Sequence, residues 1–363
     1  MSIVAEKFSF VVGIDTHAKT HTFAIINTTT GEEIANETFP VTVPGGKRAL
    51  SWIQRRSQGT KENILLTMEG TGSYGAKFRH QATEAGFQVT EAPFPHRRLG
   101  RLRGKSDAID AARAARATMG IPLEKVRVPR AGEVQLALRV LTTARESMSR
   151  ERTAAINSLT ALLRAVELGF DARKAPSVTQ INAVAAWRER EENFSVQISR
   201  REAVRLAGRI VTLTDQLKQN HSELQRLVKA EHPELLDVFG VGPVIAAIIL
   251  TAWSHPGRVR SEAAFAALAG TCPVPASSGS TTRFRLNHGG DRQLNKALYT
   301  IALIRMHWDQ ATKDYVAKRT SQGRTKKEII RSLKRYITRQ LFRTLKTAVS
   351  QPALVPIRAA STA

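Results

Sequence analysis

The sequence predicts an α/β domain followed by an all-α remainder, and three observations carry that expectation. Before residue 130, short runs of β-branched and aromatic residues such as Phe8-Ser-Phe-Val-Val-Gly-Ile14 alternate with segments of helical period. Over residues 131–234 glycine becomes rare, and Ala, Leu, Arg and Glu place apolar residues at helical spacing. From residue 235 onward the helical pattern continues, broken by one small-residue loop at 271–280. The expected divisions are therefore 1–130 for the α/β domain, 131–234 for a helical arm, 235–350 for a mostly helical C-terminal domain, and 351–363 for a disordered tail.

In chain order, the first apolar run ends at Asp15 and reads as a buried strand with a carboxylate at its tip. Residues 21–27 read as a second strand, and Thr28-Thr-Thr-Gly31 as a turn into a third that runs through Phe39. Pro44-Gly-Gly46 breaks the pattern, after which residues 47–56 carry Leu50 and Ile53 at helical spacing. Residues 63–68 form a further strand that also ends on an acid, Glu69, ahead of the glycine-rich Gly70-Thr-Gly-Ser-Tyr-Gly75. A helix over 76–85, a strand over 87–91, a basic loop over 93–104 and a helix beginning at Asp107 complete the order βββαβαβα.

Composition narrows the partners. There are 55 Lys and Arg against 31 Asp and Glu, a formal charge of +24, in a chain that is 42% hydrophobic. Such a charge repels itself in compact form unless a polyanion shares the surface, and nucleic acid is the partner this predicts. A membrane span is excluded: the longest apolar run, 244–253, is half of the roughly 20 residues a span needs, and Pro243 and Pro256 flank it. The first residues lack a charged leader ahead of an apolar segment, so a cytoplasmic location is expected. The single cysteine, Cys272, excludes an internal disulfide and a multi-cysteine zinc site.

Asp107 and Asp110 stand three apart at a helix start, on one face, directly behind Arg97, Arg98, Arg101, Arg103 and Lys105. Two readings are open for the pair. They either cap the helix N-terminus, or form half of a divalent-cation site whose neighbouring bases receive a phosphate. Acids at the tips of the first and fourth strands favour the second reading, since strand ends at one sheet edge bring distant residues together. Asp15, Glu69, Asp107 and Asp110 would then hold two hard cations about 3.5–4 Å apart, the arrangement used in phosphodiester chemistry.

The series Val12-Gly-Ile-Asp15-Thr-His-Ala-Lys, Met68-Glu69-Gly-Thr-Gly-Ser-Tyr-Gly and Lys105-Ser-Asp107-Ala-Ile-Asp110-Ala resembles the DEDD transposases of bacterial insertion sequences, the IS110 group, which includes the pilin-gene inverting recombinases. The resemblance spans about residues 10–346. It implies an N-terminal RuvC-like (RNase H-like) domain whose four acids bind Mg²⁺ or Mn²⁺, a coiled-coil arm, and a C-terminal transposase domain. It further implies a bacterial, nucleoid-associated recombinase acting on donor and target DNA, directed by a bridge guide RNA, with dimers assembling to a tetramer.

Within the arm, Leu136, Val140 and Thr143, then Ile156, Leu159, Leu163 and Val166, keep helical spacing; residues 169–177 interrupt it, and 197–228 resume it. A helical hairpin is expected, its apolar stripe serving as an intramolecular or a dimer seam. Gly240-Val-Gly-Pro243 then reads either as a helix-hairpin-helix turn, whose N–H groups bind a phosphate, or as a plain tight turn. The loop Ser277-Ser278-Gly279-Ser280 alone reads as a flexible linker. In the family the nucleophile is the serine of a Ser-Gly pair after a Gly-x-x-Pro segment; Gly270-Thr-Cys-Pro273 followed by Ser278-Gly279 fits, so the resemblance assigns Ser278, with Ser277 one register away. Arg283, Arg285, His288 and Arg292 either neutralise the scissile phosphate or form a solvated basic face.

Residues 324–346 carry nine basic residues and one acid, with Ile329, Leu333, Ile337, Leu341 and Leu345 at helical spacing. This amphipathic helix would dock its apolar face and leave Lys326, Arg331, Lys334, Arg335 and Arg339 for nucleic-acid phosphates. Two other functions fit the charge and the acids: a metal-dependent nuclease or junction resolvase using activated water, and a non-catalytic RNA- or DNA-binding protein.

Overall fold

The structure, a computed structural model, describes residues 2–93, 106–277 and 284–349. It divides into two compact units, Met1–Ala131 and Gly132–Ala363.

The first unit runs α1 (Val4–Lys7), β1 (Phe10–Thr16), β2 (Thr20–Asn27), β3 (Glu33–Pro40), α2 (Val43–Ser57), β4 (Ile64–Met68), α3 (Ala76–Glu84), β5 (Gln88–Glu91) and α4 (Asp107–Met119). Apart from the short α1, this is the order read from the sequence. The strands form one mixed sheet in the order β3-β2-β1-β4-β5. The first three are an antiparallel meander, while β4 and β5 run parallel to β1, with Ile14 opposite Met68. Both faces are covered, which is why β1 and β4 read as unbroken apolar runs. Val12, Ile14, Phe23, Leu66 and Met68 pack against Ala49, Ile53 and Phe78 of α2 and α3. Their sequence neighbours Val11, Ala24, Ile26 and Leu65 face the other way, onto Ala111, Ala112 and Ala115 of α4.

Pro44-Gly-Gly46 does not break the chain. It forms the first turn of α2, capped by Thr42, whose Oγ1 accepts the Gly45 N–H at 3.0 Å. Proline is tolerated at a helix start because the N–H it lacks would have no intrahelical partner there.

The second unit contains α5 (Glu133–Ala165), α6 (Val178–Ala185), α7 (Phe194–Glu231), α8 (Pro243–Trp253), α9 (Glu262–Leu268), β6 (Val274–Pro275), β7 (Phe284–Arg285), α10 (Arg292–Trp308), α11 (Gln310–Ser321) and α12 (Lys326–Val349). The expected hairpin is α5 against α7, antiparallel. Asn220 Nδ2 donates to the Leu141 carbonyl, Arg145 to the Leu217 carbonyl, and Arg152 Nε to Thr214 Oγ1. At its far end Leu159 and Leu163 pack with Ala203, Ala207 and Ile210, so this part of the apolar stripe is an intramolecular seam. Helices α8 to α12 share a second core with Leu138 of α5 and Leu224 and Val228 of α7, in which Trp253 meets Phe265 and Phe342 edge to face. Two-residue strands β6 and β7 pair antiparallel, β6 lying within the 271–280 segment that the sequence reads as a loop. The predicted disordered tail, 351–363, lies outside the described residues. No helix among the described residues is long and apolar enough to cross a membrane.

Candidate functional site

The parallel pairing of β1 with β4 fixes the first two acids. Asp15 follows Ile14 on β1, and Glu69 follows its partner Met68, so the two carboxylates leave neighbouring strands at the same sheet edge. A hydrogen bond from Thr16 Oγ1 to the Glu69 carbonyl, 3.1 Å, ties the tips together. Gly70 turns the chain away at φ +62°, a conformation that side chains disfavour, and lets the following loop fold back through Ser73 N–H to the Gly70 carbonyl at 2.8 Å.

The other two acids arrive on α4. This helix is held on the sheet by its alanine face and by the buried Thr67 Oγ1 to Thr118 Oγ1 bond of 2.9 Å. Ser106, not an aspartate, is the cap: its Oγ accepts the Ile109 N–H at 3.4 Å. Asp107 and Asp110 are left to point elsewhere. His17 Nε2 lies 3.0 Å from Asp15 Oδ2 and 3.6 Å from Asp107 Oδ1. One ligand atom from each of Asp15, His17 and Asp107 falls within 4.8 Å of the others, a donor set that a metal ion would fit. Asp110 is turned to Arg113, Oδ1 to Nη1 at 3.0 Å. Its charge still reaches Glu69: partial burial raises the Glu69 carboxyl above its ordinary value of 4.5, and the negative charges of Asp15 and Asp110 add to the rise. All four acids therefore occupy one electrostatic neighbourhood, crowded in a way that a cation would relieve.

His17 is the residue that reading the sequence missed, although the signal was there. In a strand, positions i and i+2 share a face, so Asp15-Thr-His17 at a strand tip presents two ligand types on one side.

Other predicted contacts are distributed as follows. Arg97, Arg98, Arg101, Arg103, Lys105, Ser278 and Arg283 lie outside the described residues. Ser277 is exposed at the end of the described part of its loop. The residues leading into that loop are held at the start of α10: Asn295 Nδ2 donates to the Ala269 carbonyl at 2.6 Å, and Asp291 N–H to the Leu268 carbonyl at 2.7 Å. Arg285 and Arg292 are exposed, as are Lys326 and Arg331 on α12. Lys334 is half-buried and donates to Asn295 Oδ1 at 2.7 Å, while Arg335 and Arg339 both reach Glu262 Oε1, at 2.9 and 3.0 Å. Gly240-Val-Gly-Pro243 forms a turn ahead of α8, with Gly240 at φ +86°.

Residues 12–167 match the family model DEDD_Tnp_IS110: Transposase, and residues 232–317 match that of the Transposase IS116/IS110/IS902 family. The chain is 24% identical over 344 residues to the insertion element IS110 uncharacterized 43.6 kDa protein of Streptomyces coelicolor, covering 81% of this chain and 84% of that one. It is 25% identical over 306 residues to the insertion element IS900 uncharacterized 42 kDa protein of Mycobacterium paratuberculosis, covering 71% and 76%. The insertion element IS116 uncharacterized 44.8 kDa protein of Streptomyces clavuligerus is also 25% identical, over 275 residues and 64% and 69% of the two chains. The first family match covers the segment carrying all four acids, the second runs through the serine loop, and they stand in that order: the chain belongs to the IS110 family of transposases.

Proposed function

We propose that this chain is an RNA-guided DNA recombinase that cuts and rejoins strands through a phosphoserine link, with its first unit serving as a RuvC-like (RNase H-like) metal-binding domain. The observation that carries the reading is the convergence of Asp15, Asp107 and the electrostatically coupled Glu69 and Asp110 at one sheet edge, all within a transposase family match. The donor chemistry suits Mg²⁺ or Mn²⁺, two per site. Carboxylate oxygens are the ligands hard cations prefer, and the mutual repulsion of these acids is what such a cation would offset. When bound, the cation supplies charge neutralisation at a phosphate and lowers the pKa of an oxygen nucleophile.

The chain's own residues divide the remaining work. Asp15, Glu69, Asp107 and Asp110 hold the metal. Ser278 Oγ forms a bond to the phosphorus as its proton is lost; the bond from phosphorus to the 3′-oxygen breaks, and that oxygen takes up a proton to leave a free 3′-hydroxyl. Because the phosphoserine link is a phosphodiester like the one it replaces, attack by another 3′-hydroxyl on that phosphorus releases Ser278 Oγ, which takes back a proton, and rejoins the strand without ATP. Arg283, Arg285 and Arg292 neutralise the phosphate, and the basic run Arg97, Arg98, Arg101, Arg103 and Lys105 holds guide RNA or target backbone beside the acids. Subunits act as dimers within a tetramer.

A denaturing gel tests the central step. The parent protein with a labelled DNA substrate should give a covalent protein–DNA adduct, and Ser278→Ala should lose both adduct and cleavage. Undiminished cleavage by Ser278→Ala and by Ser277→Ala would assign the attack to water, and the chain to the nucleases.

A further inference from the structure

We propose that His17 is a direct nitrogen ligand of the metal centre, and that it tilts the site towards Mn²⁺ and Co²⁺ over Mg²⁺. The inference rests on the metal-binding reading above and goes beyond its four acids. Two facts set His17 apart from an incidental neighbour. Its Nε2 sits between carboxylates from different elements, 3.0 Å from Asp15 on β1 and 3.6 Å from Asp107 on α4, where the ligand oxygens themselves converge. In the metal-free protein Nε2–H donates to Asp15 Oδ2; the other ring nitrogen, Nδ1, bonds to no described residue, so it can take the proton when a cation replaces that hydrogen at Nε2. The strand end supplies the placement: His17 is the first residue past β1, two after Asp15, and its N–H donates to the Thr20 carbonyl at 3.1 Å in the turn to β2.

The chemical consequence follows from ligand type. Mg²⁺ strongly favours oxygen and gains little from imidazole, whereas affinity for first-row divalent ions at a mixed nitrogen and oxygen site rises from Mn²⁺ to Co²⁺. A site of carboxylates alone would discriminate weakly between Mg²⁺ and Mn²⁺. With His17 in the first coordination sphere, the same site acquires a gradient.

The test uses the full-length protein and three probes, Mg²⁺, Mn²⁺ and Co²⁺, added alone. Calorimetric titration of the parent and of His17→Asp, which keeps an oxygen ligand in place, gives the affinities. Electron spin-echo modulation of the Mn²⁺ complex reports a directly bound ¹⁴N. The expected result is nitrogen modulation in the parent that vanishes in His17→Asp, together with a fall of about tenfold or more in Co²⁺ and Mn²⁺ affinity relative to Mg²⁺. Mn²⁺ that binds the parent without nitrogen modulation, or with a selectivity that His17→Asp leaves unchanged, would overturn the ligand role while keeping the acid site. Absence of Mn²⁺ binding to the parent, with Asp15→Asn indistinguishable from it, would overturn both.

Discussion

Gly13 and Ala111 touch backbone to backbone: a Cβ placed on Gly13 would lie 1.8 Å from the Ala111 carbonyl oxygen. Nothing larger than hydrogen fits there. The close approach lets α4 lie flat on β1, and it is α4 that carries Asp107 to within reach of His17 and the Asp15 tip. Gly13→Ala should therefore act at a distance. Because the obstacle is backbone, the helix as a whole must shift, and overpacking of this kind costs about 1–3 kcal/mol or more. Urea denaturation should show that loss, and Mn²⁺ titration should show weakened binding although every ligand is intact. A variant that keeps both stability and affinity would separate the helix position from the metal site.

Glu69 offers a pH-dependent handle. Its folded pKa lies above the ordinary 4.5, through burial first and then the charges of Asp15 and Asp110. Such an acid binds more protons folded than unfolded, so its contribution to stability falls as pH rises through the folded value and is recovered as pH drops. In metal-free protein, Glu69→Gln should be more stable than the parent at neutral pH, and the advantage should shrink to nothing below pH 4.5. Added Mg²⁺ should reverse the ranking, since a ligand at a hundred times its dissociation constant stabilises by about 2.7 kcal/mol and the Gln variant would bind it poorly. Thermal melts of both proteins across pH, with and without Mg²⁺, measure the crossover.

What the sequence disclosed about this site follows from range. The strand-end positions of Asp15 and Glu69 were legible because each acid closes an apolar run that forms a strand. The role of Asp107 was ambiguous because an aspartate at a helix start also serves as a cap; only the Ser106 hydrogen bond to Ile109 N–H resolves which residue does so. Pro44-Gly-Gly46 misled because residues that break a helix interior are permitted in its first turn. The link between Lys334 and Asn295 joins residues 39 apart on different helices, and no periodicity announces it. The same holds for Arg335 and Arg339 on Glu262.

Sharing of the chemistry between subunits has a direct consequence. If the acids of one subunit serve the Ser278 of another, Asp15→Asn and Ser278→Ala, each inactive alone, should regain strand transfer when mixed. At equal amounts, random pairing restores at most a fraction of the parent rate, so the expected signal is partial. Strand-transfer assays over a range of mixing ratios measure it, and a mixture as inactive as its components counts against sharing in trans.

The basic residues of α12 should fall into two classes that the sequence alone treats as one. Lys326 and Arg331 are exposed and make no hydrogen bond or ion pair among the described residues, so their charge is free to meet phosphate. Lys326→Ala and Arg331→Ala should each weaken DNA binding similarly for all sequences, lower the slope of log affinity against log salt by about one, and leave stability unchanged. Lys334 is different: it is half-buried, burial lowers its pKa, and its Nζ holds the Asn295 side chain that in turn grips the Ala269 carbonyl. Lys334→Ala should cost about 1.5–3 kcal/mol, the range for a hydrogen bond to a charged group, because it loosens the helix start that holds Leu268 and Ala269 ahead of the serine loop. Arg335→Ala should cost less, about 0.2–1 kcal/mol, since Arg339 still reaches Glu262. Salt-dependent DNA binding paired with urea denaturation of the four variants separates the classes. Equal salt slopes and equal stabilities across all four would show that the contacts to Asn295 and Glu262 do not withdraw Lys334 and Arg335 from the DNA-binding surface.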